Sequence, residues 1–159
     1  MEEKCIFRYS VTNSYRLPLF WIEVLDAKED NVRTYSFNSK SWNGDTDIIK
    51  PDHISVGYPV ITKIKETLEN QYELFAISET EEPPSIDGVD NYFRFVSGDK
   101  TAEITSCNLW YFEDKDARDL NGNKPLRAWI VLSVFHRIRE LLVKAGIDPA
   151  YLDLDYDED

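Results

Sequence analysis

Residues 125–146 read PLRAWIVLSVFHRIRELLVKAG and predict the helix around which the fold is built. On a helical projection, one narrow stripe is polar and holds Ser133, Arg137, Glu140 and Lys144. Most of the remaining circumference is apolar, and a helix with so narrow a polar stripe is buried over most of its girth. Gly146 suits the position after the last helical turn, and Pro149 prevents continuation. We therefore expect this helix to be the central packing element.

Short apolar runs in the rest of the chain predict a sheet. Residues 4–12 alternate between apolar and polar side chains, as a half-buried strand does. Further strands are expected at residues 17–25, 32–38, 71–78, 91–97 and 100–112. A second helix is expected over residues 59–70, because proline suits a first helical position. Residues 38–52, which include Asn43-Gly44 and Pro51, are interpreted as a loop.

The elements therefore follow the order βββα and then βββα. Turns between consecutive strands are short, so the sheet should be mainly antiparallel. With about six strands and two helices covering one face, the predicted fold class is α+β. The chain has 159 residues, which is the size of one domain. We expect a single domain over residues 1–147 and an acidic C-terminal tail over residues 148–159.

Most of the net charge of −12 comes from two short tracts. The first, residues 79–90, contains no Lys or Arg and holds the acids Glu79, Glu81, Glu82, Asp87 and Asp90. The second, residues 148–159, also contains no Lys or Arg and holds Asp148, Asp153, Asp155, Asp157, Glu158 and Asp159. The remaining chain has 19 acids against 18 Lys and Arg. Such a distribution indicates either contact with a basic partner or a role in solubility.

The second tract has two interpretations. One is a solubilising chain end. The other is a binding segment, because Tyr151, Leu152, Leu154 and Tyr156 alternate with the acids. Aromatic side chains supply contact area and acids attract a cationic surface. On the second interpretation, the partner-binding residues are the five acids of the first tract together with Tyr151, Asp153, Asp155, Tyr156 and Asp157.

Two cysteines, Cys5 and Cys107, lie in apolar runs without a CxxC spacing. This arrangement favours two reduced thiols over one disulfide, and it does not match a zinc site. The N-terminus begins MEEK and lacks a basic segment followed by a long apolar run. We expect a cytoplasmic protein, in its own cell or in a host cell, that is a monomer or small oligomer.

One loop is a candidate metal site. Asp45, Asp47, Asp52 and His53 offer carboxylate and imidazole ligands for a divalent cation. The alternative is a solvated turn whose side chains cap backbone N–H groups. The spacing fits no established ligand pattern, so we expect no tight metal site, no cofactor and no catalytic residues.

Residues 92–96, Tyr-Phe-Arg-Phe-Val, combine aromatic and basic side chains as RNA-binding strands do. The glycine and the second motif of those strands are missing, and the net charge of −12 repels nucleic acid. Packing within a hairpin is the better interpretation of this strand.

The functional prediction is a non-enzymatic acidic protein that blocks a basic partner. Nucleases and other nucleic-acid-processing enzymes have cationic channels that an acidic binder can occupy in place of phosphate. Inhibitors, toxin-immunity proteins and phage anti-defence proteins act in this way. No direct contact with nucleic acid or membrane is expected. The alternatives are a small enzyme or ligand-binding protein that uses the Asp45–His53 loop, and an assembly subunit that uses its aromatic surface.

Overall fold

The computed structural model describes residues 4–12, 18–38, 47–81, 89–113 and 126–154. Within these ranges the strands are β1 (Lys4–Thr12), β2 (Pro18–Asp26), β3 (Val32–Asn38), β4 (Asp47–Ile54), β5 (Asp90–Ser97) and β6 (Lys100–Cys107). The α-helices of the same ranges are α1 (Tyr58–Glu69) and α2 (Arg127–Lys144). None of these helices has the length and apolar character that a membrane span requires.

The strands form one sheet in the order β4-β3-β2-β1-β5-β6, and every neighbouring pair is antiparallel. β1 lies inside the sheet, between β2 and β5, so the two halves of the chain meet along this strand. The α+β class, the antiparallel sheet and the two helices on one face are therefore confirmed. The predicted order βββα-βββα is wrong, because four strands precede α1 and two lie between α1 and α2 in the described residues.

Alternation along the strands separates a buried face from an outer face. On β1, Phe7, Tyr9 and Val11 are fully buried beneath the helices, as their spacing predicts. The phenyl ring of Phe135 on α2 packs 4.9 Å from the ring of Tyr9 and 5.4 Å from that of Phe93 on β5. The core is thus built from aromatic rings on the central strands and one apolar side of α2.

The two helices cover the buried face together. α1 contributes Ile61, Ile64 and Leu68, all fully buried. The predicted polar stripe of α2 (Ser133, Arg137, Glu140 and Lys144) is exposed, and seven of its other side chains are buried. The prediction that α2 is buried over most of its girth is confirmed.

The position of β4 differs from the prediction, which placed residues 38–52 in a loop. Residues Asp47–Ile54 pair with β3, and the register shifts between Thr34 and Ser36, next to Pro51. β4 is also an edge strand. Proline lacks a backbone N–H and is tolerated at sheet edges and at bulges, so it does not exclude a strand here.

Residues 71–78 are not a strand, as was predicted, but a turn with a 3₁₀ helix at Leu74–Ala76. The buried side chains in this segment are Leu74 and Ile77, three positions apart. That spacing matches one 3₁₀ turn rather than the alternation of a strand.

The sixth strand is shorter than the predicted span of residues 100–112. β6 ends at Cys107, and a 3₁₀ helix follows at Leu109–Glu113. Asn108, between them, has a φ of 50°, a left-handed conformation that Asn adopts more readily than most residues. The chain therefore turns away from the sheet at Asn108.

Part of the predicted tail belongs to the folded body. A 3₁₀ helix spans Pro149–Leu152, and the Asp148 carboxylate accepts a hydrogen bond from the backbone N–H of Ala150 at 3.0 Å. Leu152 and Leu154 are buried in the same core as α2.

Candidate functional site: an acidic pole

One end of the sheet is organised by the side chain of Asn108. Its Oδ1 atom accepts hydrogen bonds from the backbone N–H of Val89 at 2.9 Å and from the indole N–H of Trp110 at 3.3 Å. The backbone N–H of Asn108 donates to the Val89 carbonyl at 2.8 Å. Val89 is the first described residue after the segment 82–88. Asn108 therefore fixes the point at which the first acidic tract returns to the sheet.

Asn91 performs a similar role for the second tract. Its side-chain amide donates to the hydroxyl of Tyr9 at 2.9 Å and to the carbonyl of Leu154 at 3.0 Å. Its Oδ1 atom accepts from the backbone N–H of Leu109 at 3.2 Å. The Tyr9 hydroxyl in turn donates to the carbonyl of Asp153 at 2.6 Å. Leu154 is the last described residue before the chain end at residues 155–159.

The other end of the segment 82–88 is fixed by Glu81. Its carboxylate accepts hydrogen bonds from the backbone N–H groups of Arg127 and Ala128, both at 2.9 Å, at the beginning of α2. The guanidinium of Arg127 lies 3.1 Å from the same carboxylate. The negative charge at this position accepts hydrogen bonds from N–H groups that have no partner within the helix. It also interacts favourably with the positive N-terminal end of the helix dipole.

The environment of Glu81 changes its acidity. Burial alone would raise the pKa of its carboxyl group. The N–H groups of Arg127 and Ala128 and the Arg127 guanidinium outweigh this effect, so the pKa lies below its ordinary value. Glu81 is therefore a structural acid that holds the first tract against α2.

These anchors lie at one end of the molecule. Thr12 is opposite Asp90 in the sheet, and Asp90 is opposite Cys107, so β1 and β6 end where β5 begins. We call this end, marked by Glu81, Val89 and Leu154, the acidic pole. Segments 82–88 and 155–159 both attach to it.

The described residues among the predicted partner-binding set have different environments. Glu79 is exposed and forms an isolated bridge with Thr105 of β6, whereas Asp90 is half-buried at the first position of β5. The ring of Tyr151 packs edge-on against Phe20 at 6.4 Å, so it contributes to the fold. Asp153 is exposed. The other predicted residues, Glu82, Asp87, Asp155, Tyr156 and Asp157, lie outside the described residues.

The structure describes the side chains of two metal-site candidates, Asp52 and His53, and these two do not converge. Asp52 and His53 are exposed neighbours on β4, and successive side chains of a strand point to opposite faces. Asp45 lies outside the described residues. Among the described residues, no group of three His, Cys, Asp or Glu is placed to hold a metal ion.

Asn91, Asn108 and Trp110 were not among the residues predicted for this site. Both asparagines are fully buried, and Trp110 is 37% exposed beside them. A buried Asn must form hydrogen bonds, so an Asn flanked by apolar residues, as in Cys107-Asn108-Leu109, is a signal for such an anchor.

Compared with known protein families and with curated proteins, the chain matches none.

Proposed function

We propose that this chain is a non-enzymatic acidic binding protein that blocks a basic protein partner. The partner class that best fits is a nuclease or another nucleic-acid-processing enzyme, since its cationic channel attracts concentrated negative charge. The mode of action is that of an inhibitor, a toxin-immunity protein or a phage anti-defence protein.

One observation carries this proposal. The tracts are far apart in sequence, yet both attach to the acidic pole through Asn91, Asn108 and Glu81. A role in solubility does not require the acids to be gathered at one end of a molecule. A field that steers association with a cationic partner does require it.

Both ends of the molecule have a paired acid among the described residues, but neither acidic tract contains a Lys or Arg of its own. In the described residues, Glu81 is paired with Arg127 at 3.1 Å. At the opposite end, Asp26 is 3.0 Å from Lys65 and Lys4 donates to the carbonyl of Gly98 at 2.7 Å. The second tract contains no basic residue at all.

The proposal is tested by affinity capture from the native cell or its host, with the chain immobilised through an exposed site on α1. The pole variant replaces acids of the chain end and carries Asp155→Asn, Asp157→Asn, Glu158→Gln and Asp159→Asn. The matched control removes four exposed acids far from the pole and carries Glu29→Gln, Glu66→Gln, Glu69→Gln and Asp99→Asn. Both variants change the net charge equally.

The expected result is a basic protein that the wild-type chain and the control capture and the pole variant does not. Capture that the two variants weaken equally would show that net charge alone is responsible. Capture that neither variant weakens would place the binding surface elsewhere and contradict the proposal.

A further inference from the structure

The short helix that follows β6 places an aromatic ring and a carboxylate on the same side. It is the 3₁₀ helix Leu109–Glu113, and in such a helix side chains three positions apart lie one above the other. Leu109 and Phe112 form one such pair, and both are buried in the core. Trp110 and Glu113 form the other pair, and both are exposed. The indole ring of Trp110 and the carboxylate of Glu113 therefore face solvent together.

Neighbouring groups fix the ring of Trp110, although this residue is 37% exposed. Its indole N–H donates to Asn108 Oδ1 at 3.3 Å, and the ring of Tyr111 lies edge-on to it with 6.3 Å between the centroids. Asn108 is fully buried and also binds the backbone of Val89, so the ring shares its anchor with the first acidic tract. A side chain that is already ordered loses little conformational entropy when a partner covers it.

The carboxylate of Glu113 keeps acceptor capacity for a ligand. Its side chain is 45% exposed, and its partner among the described residues is His136, whose Nε2 atom lies 3.4 Å from Glu113 Oε2. A carboxylate has two oxygen atoms and about four lone-pair positions, so a single imidazole contact leaves further positions open. A hydrogen-bond donor that arrives from solvent can therefore bind this carboxylate without displacing the contact to His136.

The indole ring and the carboxylate together match an arginine side chain. A guanidinium group stacks on an aromatic face and also donates several hydrogen bonds from its planar fork, so it binds both groups at once. A lysine ammonium group is a compact point charge that lacks this geometry. Arg8 shows the stacking contact within this molecule, since its guanidinium carbon lies 4.8 Å from the centroid of the Trp21 ring. In the part of the chain that the structure describes, no Lys or Arg covers Trp110 in this way, so that ring is open to an arginine of another protein.

We propose that Trp110 and Glu113 bind an arginine side chain of the basic protein partner. The guanidinium group stacks on the indole ring and donates hydrogen bonds to the Glu113 carboxylate. This inference rests on the proposed function, and it adds the residue type by which the partner is anchored. Trp and Arg are enriched among the residues that dominate the binding energy of interfaces. The acids of the pole then steer the encounter, whereas Trp110 and Glu113 slow dissociation.

The first test uses two probe peptides of equal charge, hexa-arginine and hexa-lysine. Each is titrated calorimetrically into the full chain at an ionic strength of about 0.15 M. The acidic pole attracts both peptides, but only arginine stacks on the ring and binds the carboxylate through two parallel hydrogen bonds. We expect the wild-type chain to bind hexa-arginine about threefold to tenfold more tightly than hexa-lysine. Equal affinities of the wild-type chain for the two peptides would overturn the inference.

Substitutions locate the site. Trp110→Leu and Glu113→Gln should each weaken hexa-arginine binding about threefold or more, and hexa-lysine binding much less. Tyr72→Leu is the control for the ring, because Tyr72 is 74% exposed beside Lys100, at the other end of β6 from the pole. Glu66→Gln, at an exposed position of α1, is the control for charge, and neither control should change the preference. Thermal unfolding verifies that each variant is folded. A preference for hexa-arginine that persists in Trp110→Leu and in Glu113→Gln would contradict the inference.

The captured partner gives a second test, which separates this inference from the proposed function. Trp110→Leu should raise the dissociation rate of that partner about tenfold and change its association rate little. An unchanged dissociation rate would overturn the inference, and the proposed function would still stand if the pole variant slows association. A partner that the pole variant binds as fast and as tightly as the wild-type chain does would instead overturn the proposed function.

Discussion

Asn91 and Leu154 are 63 positions apart in sequence and are joined by a hydrogen bond of 3.0 Å from the Asn91 side-chain amide to the Leu154 carbonyl. Asn91 is fully buried at the acidic pole, and its amide also reaches the hydroxyl of Tyr9. This contact fixes the C-terminal segment to the end of the sheet at which β5 begins. The first half of the predicted tail is therefore held on the core, and the chain end begins at a defined place.

Asn91→Ala should destabilise the protein and release the segment that ends at Leu154. The substitution leaves the backbone N–H of Leu109 without its acceptor and the Leu154 carbonyl without its donor. Each such loss costs about 1–3 kcal/mol, so the free energy of unfolding should fall by at least about 2 kcal/mol. Chemical denaturation measures the change, and amide hydrogen exchange at Leu152–Leu154 measures the release. Asn70→Ala, at the exposed end of α1, is the matched control and should have little effect.

Glu81→Gln should weaken the beginning of α2 in a pH-dependent way. At neutral pH the loss of the charged cap should cost about 1 kcal/mol. The pKa of Glu81 is lowered in the folded state. The contribution of Glu81 to the free energy of unfolding is therefore complete above its unfolded-state pKa, and it is lost as the pH falls through its folded-state pKa. The stabilities of wild type and variant should therefore differ at neutral pH and converge in acid. A constant difference across the acid range would show that the charge of Glu81 has no role.

Phe135→Ala should be among the most destabilising single substitutions in α2. The ring is fully buried and packs against those of Tyr9 and Phe93. Truncation of a buried Phe costs about 3–5 kcal/mol through lost burial and the cavity left behind. Arg137→Ala, an exposed position two residues later, should change the denaturation midpoint little. A midpoint that is the same for Phe135→Ala and wild type would contradict the described packing.

Both cysteines should be reduced. Asp90 of β5 is the cross-strand partner of both Thr12 on β1 and Cys107 on β6, so Cys107 lies at the same end of the sheet as Thr12. Cys5 is seven positions away from Thr12 along β1. This separation is about 23 Å, whereas a disulfide requires Cα atoms within about 7 Å. Titration of the denatured, non-reduced protein should find two thiols per chain. Burial raises the pKa of the Cys5 thiol, so this residue should react slowly in the native state.

The parts of the fold that depend on local pattern were predictable. The alternation of residues 4–12 and the narrow polar stripe of α2 each depend on one period repeated over many residues, and both predictions are confirmed. The errors occurred where partners distant in sequence determine the structure. Pro51 is acceptable only because β4 is at an edge with a bulge, and neither condition can be inferred from the sequence of that segment.

The candidate site was predictable in composition but not in arrangement. The acidic tracts can be recognised in the sequence because neither contains a Lys or Arg. Their attachment to one pole, however, depends on Asn91, Asn108 and Glu81. Hydrogen bonds from single polar side chains to distant backbone atoms leave no periodic signal in a sequence. For the same reason the sequence gives no sign that the carboxylate of Glu81, one of the predicted partner-binding acids, caps α2.

The central claim is that the acidic pole steers association with a cationic protein. The most direct test is the association rate with the captured partner, measured for wild type, the pole variant and the matched control as the Debye length is reduced from about 10 Å to about 3 Å by added salt. We predict that the wild-type and control rates fall together with salt, while the pole variant is slower at low salt and nearly independent of salt. Equal rates and equal salt dependence for all three proteins would contradict the account.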